Sequence, residues 1–186
     1  MKRQSRRQLL SSIAATGVAA TVGSSVKSSH ALVNDQIAVA VIGFNGMGFH
    51  HVSQIASNQG ARVVALCDVD NEVIERGVHK VKEVAGNTLR TTRDFRSIID
   101  DKSIDAVVIA TPHHWHCPIA VPALLAGKDV YVQKPACSTV EEGRAMVNAA
   151  TCRGRIVQVG SQGRSSPDAF YAAQFIRNGQ IGRVRH

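Results

Sequence analysis

From residue 37 to 42 the chain is an unbroken run of small and β-branched apolar residues, ended by Gly43. A strand with one wet face would alternate apolar and polar residues, so a continuous run marks a strand covered on both faces of a parallel sheet. Residues 62–67 and 105–110 repeat the pattern, 129–132 and 156–159 are shorter candidates, and the polar segment 88–92 is the weakest. Between them the apolar spacing becomes helical. Phe49, Val52 and Ile55 share a face of a predicted helix over 46–58, and Ile74, Val78 and Val81 share one after a cap at Asp70 or Asn71. Further helices are predicted over 93–100, 115–126, 139–152 and 167–178. Strands alternating with such helices imply right-handed crossovers, so the expected fold is α/β with a doubly wound parallel sheet.

The first strand-to-helix turn is Gly43-Phe44-Asn45-Gly46-Met47-Gly48. Gly43 and Gly48 take the first and last positions of G-x-G-x-x-G, the spacing that lets a chain leave a strand sharply and bring loop amides and a helix N-terminus to a pyrophosphate. Gly43, Asn45, Gly46, Met47 and Gly48 are therefore the candidate phosphate contacts. Asn45 stands where the pattern has glycine; asparagine tolerates left-handed backbone, so the turn is expected to survive. Asp68 follows the second strand, 20 residues after Gly48, where an acid accepts hydrogen bonds from ribose hydroxyls. Its charge opposes a 2′-phosphate. The expected cofactor is NAD, with NADP the alternative if a neighbouring cation such as Arg62 offsets the acid.

A net charge of +8 and a pI near 9.8 raise nucleic acid as a partner. The excess is local: Lys2, Arg3, Arg6, Arg7 and Lys27 lie in the first 31 residues with no acid among them. The remainder is close to balanced and its few aromatics are scattered, which argues against nucleic-acid binding. Ser5-Arg6-Arg7-Gln8-Leu9-Leu10 matches a twin-arginine export signal, and the mildly apolar stretch behind it is a poor membrane anchor. Residues 1–31 are thus expected to be a signal peptide cut after Ala31, delivering the protein to the periplasm. Residues 32–165 form the dinucleotide-binding domain, and 166–186 a linker helix and the opening of a further domain. Cys67, Cys117, Cys137 and Cys152 lack zinc spacing, and His113, His114, His116 and Cys117 crowd one helix mouth, so no metal site is expected.

Ala65-Leu66-Cys67-Asp68-Val69-Asp70, Ala110-Thr111-Pro112-His113-His114-Trp115-His116, Val130-Tyr131-Val132-Gln133-Lys134-Pro135 and Val157-Gln158-Val159-Gly160-Ser161-Gln162 carry a more specific signal. Together they resemble the N-terminal Rossmann domain of the Gfo/Idh/MocA oxidoreductases, the group of glucose-fructose oxidoreductase and inositol dehydrogenase. The resemblance implies that Thr111, Pro112 and His116 lie along the dinucleotide. His113 departs from the family's Asn or Asp. It also implies that Gln133, Lys134 and Pro135, which correspond to the family's Glu-Lys-Pro, stand at the reacting end, with Lys134 the catalytic residue. Gln133 in place of Glu removes an anion that would hold the Lys134 ammonium charged.

Family members continue into an α/β substrate domain and are expected to form homo-oligomers. The chain stops at Gly182-Arg183-Val184-Arg185-His186, so a truncated product or a fragment lacking that domain is expected. Three functions are expected: the resemblance implies NAD-dependent oxidation of a sugar, cyclitol or related polyol, or redox-neutral NAD-dependent glycoside cleavage, and the missing domain suggests a non-catalytic nucleotide-binding module. A sugar-like substrate is a partner only where the substrate domain exists.

Overall fold

A computed structural model describes residues 36–86 and 89–183; the expected signal segment and the final three residues of the tail lie outside the described residues. Six strands, β1 (Ile37–Ile42), β2 (Ala61–Cys67), β3 (Arg90–Thr92), β4 (Ala106–Ile109), β5 (Asp129–Gln133) and β6 (Val157–Gly160), form one sheet in the order β3-β2-β1-β4-β5-β6. Every pairing is parallel. The crossovers carry helices α1 (Met47–Ala56), α2 (Asn71–Ala85), α3 (Arg96–Ile99), α4 (His116–Leu125) and α5 (Val140–Arg153), and α6 (Pro167–Arg177) follows β6.

The sheet explains the continuous apolar runs. Val39 and Val41 of β1 join Val63, Leu66, Val52, Val73 and Val81 on the side of α1 and α2. Ala40 and Ile42 join Val107, Ile109, Val130, Val132, Ile119, Leu124 and Met146 on the side of α4 and α5. Successive side chains point to opposite faces, and here both faces are dry, so no position on β1 after Ile37 has use for a polar group.

Local signals set most boundaries. The Asp70 side chain accepts from Glu72 N at 2.9 Å and starts α2, which ends at Gly86 with φ +67°. Thr139 and Glu142 form a reciprocal capping box at the start of α5. The predicted helix over 93–100 contracts to α3 because Asp94 is spent on a turn, accepting from Arg96 N at 3.0 Å. Helix α4 is preceded by a single tight turn, His113–Trp115. The tail gives no strand over residues 181–183, and α6 has no buried residue.

Candidate cofactor site at the carboxyl edge of the sheet

Strand order reverses direction at β1, whose neighbours are β2 and β4. Loops leaving β1 and β4 therefore diverge, which opens a crevice beyond the carboxyl ends of the strands. A cleft of about 740 Å³ lies there, walled by Gly43–Asn45, Asp68–Asp70, Arg93–Arg96, Thr111, Pro112, His114 and Trp115. Ligand cavities commonly hold roughly 300–1,000 Å³.

The glycine loop is defined by close approach. Gly43 N donates to Cys67 O at 2.8 Å, and a Cβ at Gly43 would stand 2.6 Å from Thr111 Cγ2 and 2.8 Å from Thr111 Cα. A Cβ at Gly48 would strike the Gly43 carbonyl oxygen. Asn45 does not adopt left-handed backbone: among the described residues only glycines have positive φ, and Gly46 takes that conformation with φ +64° and open space around it. The flexible position has moved one residue along, so the turn survives for a reason other than the tolerance expected of asparagine. Asn45 Oδ1 instead accepts from Arg76 Nη2 at 3.2 Å. Phe44 is 0% exposed and lies over Gly77, where a Cβ would meet its Cε2 at 2.5 Å. Helix α1 opens at Met47, exposed beside the loop, with no side-chain cap. Its positive dipole end is thus left to an anion.

Asp68 is half-buried at the end of β2. Its Oδ2 accepts from Phe44 N at 3.0 Å and its Oδ1 from Asp70 N at 3.1 Å. Each carboxylate oxygen has room for two hydrogen bonds and makes one here, so the acid fixes the glycine loop and keeps one acceptor site per oxygen for ligand hydroxyls. Arg62 sits near the start of β2, six residues before Asp68, roughly 20 Å away at ~3.3 Å per residue. It cannot offset that charge; the basic residues on the cleft are Arg93 and Arg96, and Arg96 pairs with Asp94 at 3.1 Å. Thr111 Oγ1 is buried and has no partner among the described residues. The two glycine approaches, the capless α1 and this orphaned hydroxyl fit a bound dinucleotide: Gly43 to Gly48 would hold its phosphates, Asp68 a ribose, and Thr111 and Pro112 its far half.

Lys134 and Pro135 form the turn after β5, one strand beyond β4, and both are exposed. Gln133, the last residue of β5, is held by the neighbouring strand's exit. Only 8% exposed, its Oε1 accepts from Gln162 Nε2 at 3.0 Å, and Gln162 Nε2 lies 3.5 Å from His51 Nε2. Gly160 makes room, since a Cβ there would strike Gln133 Oε1 and approach the Tyr131 hydroxyl at 2.8 Å. Burial, and secondarily the His50 ring, hold His51 below the ordinary imidazole range, with hydrogen bonding to Gln133 opposing. No hydrogen bond joins Gln133 to Lys134 among the described residues; the Gln133 amide oxygen is taken up by Gln162 at the β5–β6 edge. Sequence reasoning missed this network, as it missed Phe44, Arg76, Arg93 and Trp115.

His116 is also placed unexpectedly. Its ring is 1% exposed, with Nδ1 2.7 Å from Pro135 O and Nε2 2.9 Å from Thr111 O. Of the four cysteines, Cys67 is pushed up to about 12 by burial and then by Asp68 and Asp94, and burial also raises Cys117. Buried neutral thiols of this kind are packing groups. Among the described residues no three His, Cys, Asp or Glu side chains gather as metal ligands, and no helix is long and apolar enough to cross a membrane.

A parallel six-stranded sheet whose switch-point crevice carries a glycine loop and a strand-end acid defines a dinucleotide-binding Rossmann domain. Residues 37–161 match the oxidoreductase family with an NAD-binding Rossmann fold, and the chain belongs to this Gfo/Idh/MocA family. Its Rossmann domain is accordingly an NAD-binding one. The chain is 32% identical over 159 residues to glycosyl hydrolase family 109 protein 2 of Shewanella sp. (strain ANA-3), covering 82% of this chain and 34% of that protein. It is 29% identical over 174 residues to an α-N-acetylgalactosaminidase of Shewanella oneidensis, covering 88% and 37%. The structure of scyllo-inositol dehydrogenase from Lactobacillus casei, with NAD(H) and scyllo-inositol bound, superposes with a TM-score of 0.67 at 26% identity, covering 79% of this chain and 42% of that one. The chain thus spans about a third of the curated relatives' length.

Proposed function

We propose that this chain is the cofactor half of an exported enzyme that oxidises a secondary hydroxyl of a sugar, cyclitol or related polyol. The observation that carries the reading is Lys134, exposed at the carboxyl end of β5, the strand paired with β4 of the switch point. NAD⁺, when bound, supplies the hydride acceptor. Lys134 in its neutral form accepts the hydroxyl proton, a general-base role that contributes ~10²–10⁴-fold. Thr111 and Pro112 wall the cleft and would hold the cofactor's far half, while the glycine loop and Asp68 would hold its other end. The inositol dehydrogenase likeness supports the substrate class. The basic n-region and the Arg6-Arg7 pair support export to the periplasm. In the protein with its substrate domain, Lys134→Met is expected to lower NADH formation at 340 nm by about 10²-fold or more while NAD⁺ affinity stays within about threefold. Parallel losses in rate and affinity would make Lys134 a binding residue only.

A second reading is favoured by the curated relatives, which are named as glycosidases. In redox-neutral glycoside cleavage, the same proton abstraction would open a cycle that returns the hydride to the sugar. Release of the free sugar from a glycoside with no net NADH identifies that cycle, and stoichiometric NADH excludes it.

A further inference from the structure

His116 lies between two turns, of which the Thr111 turn walls the crevice, and it touches both. The Thr111 turn follows β4 and the Lys134–Pro135 turn follows β5. Their carbonyls, Thr111 O and Pro135 O, lie 2.9 and 2.7 Å from the two nitrogens of one imidazole. Carbonyl oxygens only accept and a neutral imidazole carries one N–H, so in either tautomer the ring donates to one of the two carbonyls and lies against the other. At 1% exposure the ring is closed to any ligand in the cleft. We propose that His116 is a positioning residue: it sets the separation of the Thr111 and Lys134 turns and thereby the geometry of the second half of the dinucleotide.

The contact path is continuous. Thr111 packs on Gly43 so closely that no Cβ fits between them. Gly43 in turn hydrogen-bonds β2 through Cys67 O. Thr111 is therefore registered against the phosphate loop on one side and, through His116, against Pro135 on the other. In a doubly wound sheet each half of the dinucleotide takes one side of the switch point. Asp68 at the end of β2 marks the adenosine side, which leaves the β4–β5 turns to the nicotinamide side. Loss of the His116 bonds frees only the latter. A phenyl ring retains volume and donates nothing, whereas a glutamine amide donates from one end alone.

The inference rests on NAD binding by this family and not on the substrate chemistry proposed above. Calorimetric titration of the full chain with NAD⁺ and with ADP-ribose, which lacks nicotinamide, tests it. In His116→Phe, NAD⁺ affinity is expected to fall about tenfold or more, ADP-ribose affinity less than about threefold, and His116→Gln to lie between. Equal losses for both ligands, or unchanged NAD⁺ affinity in either variant, overturn the proposal. Should the phenylalanine variant not fold, His116→Gln decides alone by the same comparison. Wild-type protein that binds neither ligand overturns the premise, an outcome distinct from wild-type binding that the variants leave unchanged.

Discussion

Gly43 is constrained twice, by φ +72° and by Thr111 at 2.6 Å from where its Cβ would be, whereas Gly46 is constrained by backbone alone. Gly46→Ala is expected to cost about 1–3 kcal/mol from conformation. Gly43→Ala adds a further ~1–3 kcal/mol of overlap. Urea unfolding of the two variants should rank Gly43→Ala as the less stable, and the reverse order would refute the close approach. His51 supplies a pH-dependent prediction. Its folded-state pKa is lowered, chiefly by burial, so on acidification the unfolded chain takes up the proton first. Its contribution is complete above about pH 6.5 and is lost as pH falls from there toward the folded value. Between pH 7.5 and 5 the wild type should lose more stability in urea than His51→Gln; equal slopes would show that His51 titrates freely.

At the scale of elements, the start of α5 follows directly on the Lys134 turn. Glu142 Oε2 accepts from Ser138 N at 2.6 Å and Thr139 N at 3.3 Å, and Thr139 Oγ1 accepts from Glu142 N at 3.2 Å. Glu142→Ala should cost about 1–2 kcal/mol. Leu124→Ala, in the fully buried face of α4, should cost ~2–5 kcal/mol. Core burial outweighs capping here, and a larger loss from Glu142→Ala in urea would contradict that ranking. Elements such as these were legible because their causes are local: β1 from its apolar run, α2 from Asp70, α5 from Thr139 and Glu142. Helix α3 was overdrawn because Asp94 satisfies backbone donors in a turn that periodicity does not register. The loop glycines Gly43 and Gly48 and the strand-end acid Asp68 were legible from spacing. Arg93 was not, nor were the partners of His116 and Gln133, since these depend on strand order. Gln133 meets Gln162 and Gln162 meets His51 across 29 and 111 residues of chain, and nothing in either neighbourhood announces the other.

For the molecule as a whole, α6 stands apart from the packed layers. Phe170 and Tyr171 are 65% and 68% exposed, and α6 buries nothing on the sheet. Ending the chain after residue 165 should therefore leave the melting temperature of the NAD-binding domain within about 4 °C, equivalent to less than ~1 kcal/mol. A larger drop, measured by circular dichroism, would show that α6 braces the sheet. The remaining architecture shares one load between its two dry faces, and the glycine loop is fastened to it by Phe44, whose ring is sealed beneath α2 against Gly77. A loop pinned by an aromatic plug is shaped when the chain folds, before any dinucleotide arrives. Capture is then a single encounter with a finished receptor, its speed set by diffusion and orientation and its reversal by how long the phosphates stay seated.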